Sequence, residues 1–165
     1  MLPMSDIVVD PVRRQRYRFS RDGGDLLAIV ETDPGGDVPE HLHPAQSEDW
    51  EVITGDVTFF IDGRPQAVRP GDRIRADAGV RHAFVNDGAQ TALLKVRVTP
   101  ANDLQTFLVE AARLARAGAF DTKGKPSSLR AAIALIGLVV RHRKDIQIMT
   151  PAPMRVFNIA MRALR

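Results

Sequence analysis

The stretch PEHLHPAQSEDWEVITG, residues 39–55, holds two of the four histidines of this chain, followed by a carboxylate and the single tryptophan. Alternate residues of a β-strand point to the same face, with Cα atoms roughly 6.5 Å apart. If this segment is a strand, His41 and His43 aim their imidazole rings at one point. A metal ion needs such convergence, because imidazole nitrogens and carboxylate oxygens bind divalent transition metals at about 2.0–2.2 Å.

Alternation continues through the second half of the same stretch. It places Glu48 and Trp50 on one face, so the parity that buries the tryptophan also points the carboxylate inward. An unpaired buried carboxylate is costly, and a bound cation would remove that cost. Two other interpretations stay open on these residues alone: a surface histidine pair, and one charge in a solvated acidic stretch.

Short alternating runs separated by turn residues extend over residues 16–99, at intervals of about ten residues. Asp62-Gly63 is a candidate type I′ hairpin turn, and Pro70-Gly71 favours another tight turn. This pattern predicts an antiparallel barrel or sandwich. The runs are RYRFS (16–20), LLAIVET (26–32), PEHLH (39–43), EDWEVIT (48–54), DVTFFID (56–62), QAVR (66–69), DRIRAD (72–77), HAFVND (82–87) and TALLKVRVT (91–99).

After Thr99 the apolar spacing becomes helical. We expect one helix within residues 102–118, opened by an Asn or Asp cap and closed at Gly118, and a second within residues 127–143, capped by a serine. A third is expected from about Ala152. The predicted organisation is therefore a β-domain over residues 1–100 and an α-helical extension over residues 101–165, which packs on the barrel or on a partner subunit.

Composition narrows the class of protein. The chain is 44% hydrophobic and 26% charged, which is typical of a folded globular protein. It contains no cysteine, so any metal must be held by nitrogen and oxygen ligands. The first residues lack a signal-peptide pattern and no apolar run reaches the roughly 20 residues of a membrane span, so we expect a cytoplasmic protein.

Two spaced motifs resemble those of the cupin superfamily. The first runs from Gly35 through His41, His43 and Glu48 to Gly55, and the second runs from Gly71 through Asp77, Gly79 and His82 to Asn86. Cupins usually have proline where Asp77 stands. The motifs cover residues 35–86, and the surrounding strand pattern extends the resemblance over residues 16–99.

The resemblance implies a mainly β fold, a jelly-roll (double-stranded β-helix) barrel, followed here by C-terminal α-helices. It also implies that His41, His43, Glu48 and His82 hold one divalent transition metal. Three imidazoles and a carboxylate suit Fe, Mn, Ni, Co or Zn and leave two positions of an octahedral ion open. The departure at Asp77 concerns the rigidity of one turn and none of the ligand positions.

Open coordination positions predict an enzyme acting on a small organic substrate. We expect a dioxygenase-type oxidoreductase; the alternatives are a metal-dependent lyase, isomerase or cyclase, and a non-catalytic binding or sensing module. No catalytic residue is predicted beyond the metal ligands. The apolar residues expected to contact the substrate are Trp50, Val57, Phe59, Ile61 and Phe84.

The binding partners expected for this protein are inferred from the distribution of charge along the chain and from the apolar faces of the predicted helices. Residues 101–165 carry 11 basic and 4 acidic residues, and the second helix is apolar on all sides. We expect a homodimer, with contact at a membrane surface as the alternative. The basic run at residues 13–21 contains the single tyrosine of the chain, Tyr17, and alternates like a solvated edge strand, so no nucleic-acid partner is expected. His142, at a basic helix end, is expected to be a solvated cap residue.

Overall fold

The computed structural model describes residues 6–121 and 124–149. In these ranges the chain forms two helices and a series of short strands. The strands are β1 (Val8–Asp10), β2 (Gln15–Asp22), β3 (Asp25–Thr32), β4 (Asp37–Leu42), β5 (Ser47–Thr54), β6 (Val57–Ile61), β7 (Arg64–Val68), β8 (Arg73–Ala76), β9 (His82–Val85), β10 (Ala92–Thr99) and β11 (Gln147–Ile148); the helices are α1 (Leu104–Arg116) and α2 (Leu129–Arg141).

The strands form two antiparallel sheets. One has the order β1-β2-β3-β10-β5-β8 and the other β11-β4-β9-β6-β7. Apart from β1-β2-β3 and the β6-β7 hairpin, strands that are neighbours in sequence lie in different sheets, as in a jelly roll. The prediction of a mainly β jelly-roll fold followed by helices is confirmed.

The core combines inward-facing side chains from both sheets. Every second residue of β3 is buried, and β10 shows the same period of two. Phe19 and Leu26 from the first sheet join Phe59 and Phe84 from the second in one apolar cluster. Burying each such side chain contributes about 1.5–3 kcal/mol, so the alternating pattern both drives the fold and fixes its register.

Two turns follow the expected chemistry. Asp62 and Gly63, with φ of 48° and 76°, join β6 to β7 in a hairpin whose flanking residues pair directly. Positive φ at both central positions is the type I′ geometry. Gly71 has φ of 90° in the turn that the Asp72 amide closes on the Arg69 carbonyl at 2.9 Å.

The helices begin and end close to the expected residues. The side chain of Ser128 accepts a hydrogen bond from the Ala131 amide, so it caps α2; Asp103 precedes α1 but makes no side-chain cap. Neither described helix is both long and apolar enough to cross a bilayer. The third expected helix lies outside the described residues.

Strand β11 is a difference from the sequence-based expectation. The segment after α2 is not helical throughout: it returns to the barrel and pairs antiparallel with β4.

Another correction concerns Tyr17, expected on a solvated edge strand. β1 pairs with β2 on its outer side, so β2 is not an edge strand, and Tyr17 is buried because it faces the core and stacks on Phe19. Its hydroxyl donates to the Gln15 side chain.

Candidate metal centre

Four side chains from three strands converge inside the barrel. His41 lies in β4, His43 follows that strand directly, Glu48 lies in β5, and His82 opens β9. One potential ligand atom from each lies within 4.8 Å of all the others. The four residues are between 1 and 5% exposed, so the cluster is shielded from bulk water.

Backbone pairing brings the two motifs together. His41 is the direct cross-strand partner of His82, after a register shift in β4 that begins at Val38. The Gly79 amide donates to the His43 carbonyl at 2.8 Å, which docks the turn before β9 on the end of β4. Gly79 has φ of 80°, a conformation that residues with a side chain rarely adopt.

Asp77, the departure from the motif, leaves the site intact. Its carbonyl accepts from the Val80 amide at 3.0 Å, so the turn closes without proline. Its exposed carboxylate accepts from Arg75 at 2.7 Å and is not one of the four possible ligands.

Each histidine of the cluster has its Nδ1 against a backbone carbonyl. A carbonyl oxygen only accepts, so each Nδ1 carries a proton, and in the neutral form of each ring Nε2 presents a lone pair. This tautomer is the one that a metal-binding histidine needs. The carbonyls are those of Pro39 for His41 at 2.9 Å, Asp145 for His43 at 2.6 Å and Val80 for His82 at 3.0 Å.

The carboxylate of Glu48 faces two of these lone pairs. Its Oε1 lies 3.1 Å from Nε2 of His43, and its Oε2 lies 3.1 Å from Nε2 of His82 and accepts from Nε1 of Trp50 at 2.8 Å. Nε2 of His43 is buried and makes no well-aligned hydrogen bond despite the short distance. A proton or a metal cation between these groups satisfies them, so the donor set fits a divalent ion.

The electrostatics favour a cation. Burial, reinforced by the neighbouring histidines, lowers the pKa of His41 to about 3. Burial opposes ionisation of Glu48, but the charge and close contact of His43 outweigh it, followed by those of His82, and hold the pKa of Glu48 well below the usual value. For His43, burial lowers the pKa, while the charge and close contact of Glu48 exceed that effect and leave it raised. The cluster therefore keeps an ionised carboxylate beside a neutral imidazole.

The predicted apolar wall residues lie on the strands that carry the ligands or next to them. Trp50, Phe59 and Phe84 pack with ring centroids 5.1–5.6 Å apart, and Val57 is buried. Ile61 is half-buried and is the cross-strand partner of His82. Their contact with a substrate stays a prediction.

The sequence analysis missed a group from the C-terminal segment. Ile146 is buried in the core and Ile148 packs against it, while the Asp145 carbonyl holds His43. The signal available was the alternation of Ile146 and Ile148 around Gln147, which is too short to predict a strand by itself.

His142 does cap the end of α2, but it is not solvated. It is 4% exposed and packs edge-on against Phe107 of α1, with Nδ1 3.5 Å from an oxygen of Asp103. The expectation of a solvated residue was wrong because α1 covers the end of α2.

The fold and the buried cluster define a jelly-roll protein with a possible four-residue metal site. Residues 28–97 match the family model described as a cupin domain. This segment, which contains all four residues of the cluster, is a cupin domain.

Similar proteins agree with this assignment. Germin-like protein 5-1 from Oryza sativa subsp. japonica is 30% identical over 104 residues, which are 53% of this chain and 45% of that protein. The chain thus spans less than half the length of this curated relative. An RmlC-like cupin from Shewanella frigidimarina superposes with a TM-score of 0.53 at 17% identity, covering 64% of this chain and 89% of that one. A predicted oxalate decarboxylase from Thermotoga maritima gives 0.50 at 19% identity, covering 59% and 96%.

Proposed function

We propose that this cupin is a metal-dependent, dioxygenase-type oxidoreductase acting on a small organic substrate. The observation that carries the proposal is the convergence of three imidazoles and one ionised carboxylate in a buried cluster. A non-catalytic pocket has no need of ligands that leave coordination positions vacant.

The residues have separate parts in this chemistry. His41, His43, Glu48 and His82 would hold the ion, which supplies Lewis acidity and, as iron, electron transfer to dioxygen. Trp50 keeps the Glu48 carboxylate in place through its indole N–H. The packed rings of Trp50, Phe59 and Phe84 exclude water from the side of the ligand cluster where Trp50 contacts Glu48.

The interior chemistry favours a chelating substrate with an apolar body. Among the described residues, no lysine or arginine is buried, so an anionic substrate has only the bound metal to balance its charge. An enolised diketone or a hydroxy-ketone offers two oxygens to adjacent positions and little further charge. In a dioxygenase reaction on such a substrate, both oxygen atoms enter the products as a C–C bond breaks, so no external reductant is required.

Metal analysis followed by oxygen uptake tests the proposal. Purified protein should contain about one ion per chain, and the iron-loaded form should consume dioxygen in proportion to the diketone or hydroxy acid supplied. Product formation without oxygen uptake would contradict the oxidoreductase and indicate a metal-dependent lyase, isomerase or cyclase. A metal-loaded protein that binds substrates and converts none would instead support the non-catalytic binding or sensing module.

A further inference from the structure

The C-terminal strap, residues 145–149, returns to the barrel beside the metal centre. Gln147 pairs with Leu42 and Ile148 with His41, and the Met149 amide donates to the Glu40 carbonyl at 2.7 Å. The strap includes β11, which forms one edge of its sheet. It can therefore leave β4 without breaking another strand pair.

The strap supplies the carbonyl that orients His43. The partners of His41 and His82 lie only two residues away in the chain, Pro39 within β4 and Val80 just before β9, so these rings are fixed locally. The partner of His43, the Asp145 carbonyl, is 102 residues away along the chain. The direction of this one imidazole thus depends on the strap being docked.

The strap also covers the site. Ile148 is directly opposite His41, so its side chain shares the inner face and packs against the core. Ile146 is buried beside it. With the four cluster residues at most 5% exposed, an ion needs an opening in this shell to enter or leave.

We propose that Asp145, through its backbone carbonyl, is a positioning residue of the metal centre, and that undocking of the strap sets the rate at which the ion exchanges. The inference rests on the proposed metal site but not on the proposed reaction. Removing a hydrogen-bond partner behind a metal-binding histidine typically weakens metal binding about 10- to 100-fold.

Loosening the strap is the first test. Met149→Pro removes the amide that bonds to Glu40 and keeps the preceding residue extended, whereas Met149→Ala keeps that amide. Zinc-loaded full-length protein is mixed with excess EDTA and the release of zinc is followed. Met149→Pro should release zinc about three- to tenfold faster, and Met149→Ala at the rate of the original chain.

Clamping the strap should act in the opposite direction. Because the chain has no cysteine, Leu42→Cys with Gln147→Cys creates a single possible disulfide between paired residues. Hydrogen-bonded antiparallel partners are about 5.5 Å apart at Cα, within disulfide range. The oxidised variant should release zinc at least about tenfold more slowly than the Leu42→Ser, Gln147→Ser control.

The metal-free protein provides a readout that needs no ion. The Nδ1 proton of His43 should give a downfield, exchange-protected NMR signal that weakens in Met149→Pro and persists in Met149→Ala. Equal zinc release in all variants together with an unchanged signal would overturn the strap inference. Failure of the original chain to bind zinc, with the signal behaving as expected, would instead overturn the metal site and leave the positioning contact standing.

Discussion

At the scale of single residues, the feature with the largest consequences is that the ionised carboxylate of Glu48 faces the Nε2 atoms of two histidines. Nε2 atoms of His43 and His82 each lie 3.1 Å from its carboxylate, and all three groups are buried. The Nδ1 contacts to carbonyls remove the alternative tautomer. The charge and donor set therefore favour a divalent cation, and the next two predictions test this.

Glu48→Gln should bind a divalent ion at least about tenfold more weakly, because a neutral amide is a poorer ligand than a carboxylate. Glu51→Gln is the matched control, since Glu51 lies on the other face of β5 and pairs with exposed Arg73. Calorimetric titration with Zn²⁺ gives both affinities. Equal weakening in the two variants would point to general surface charge and not to a ligand.

Metal affinity should fall as the solution is acidified below neutrality. The raised pKa of His43 means that it takes a proton before His41, whose pKa of about 3 keeps that imidazole neutral. A protonated imidazole cannot bind metal, so affinity should fall by about tenfold per pH unit once His43 titrates. Cobalt titrations between pH 5 and 8 would measure this slope; constant affinity over that range would contradict it.

At the scale of elements, α2 shows that local sequence determines where a helix begins, whereas packing determines which of its sides is buried. Ser128 caps its first turn, and Ala131 and Leu138 face the protein interior. Leu129 and Ile133 lie on the opposite side and are 78% and 63% exposed. The apolar pattern extends around the helix, but within residues 6–121 and 124–149 only one side of it is covered.

Ser128→Ala should lower the free energy of unfolding by about 1 kcal/mol, because the Ala131 amide loses its cap. Ser128→Asp keeps an acceptor at the same position and should restore most of the loss. Urea denaturation followed by circular dichroism measures both changes. A loss that aspartate does not restore would show that the cap is not the cause.

At the scale of the whole molecule, the barrel and the extension meet at the metal centre. Gln46, buried just after the first histidine pair, donates to the carbonyls of Pro100 and Ala101, where β10 passes into the helices. The Asp103 amide faces the Asp145 side chain at 3.4 Å. The extension is therefore attached to the end of the barrel that carries the site.

The homodimer stays a prediction, and the outward face of α2 is the apolar surface available for it. Leu129→Glu with Ile133→Glu places charge on that face and should convert a dimer to a monomer without changing zinc affinity. Sedimentation velocity at several concentrations measures the oligomeric state. A monomeric original chain would contradict the dimer, and liposome flotation would then test the membrane-surface alternative.

Much of the fold was predictable because its signals are local. Alternation with a period of two identified the strands from β2 to β10, and glycines with positive φ marked turns such as Asp62-Gly63 and Pro70-Gly71. The spacing of His41, His43 and Glu48 indicated the cluster, since a strand places alternate residues on one face. These properties depend on neighbours in the chain and are readable from them.

Only the tertiary structure decided what lies around that cluster. Pairing of the two-residue strand β11 with β4, the Asp145 carbonyl behind His43, and the burial of Tyr17 and His142 all join segments far apart in sequence. Such contacts leave no periodic pattern, because a two-residue strand or a single carbonyl is positioned by the packing of the rest. The amino-acid sequence by itself determined the barrel and the residues of its possible metal site, whereas the way the C-terminal strap closes over that site followed from long-range packing.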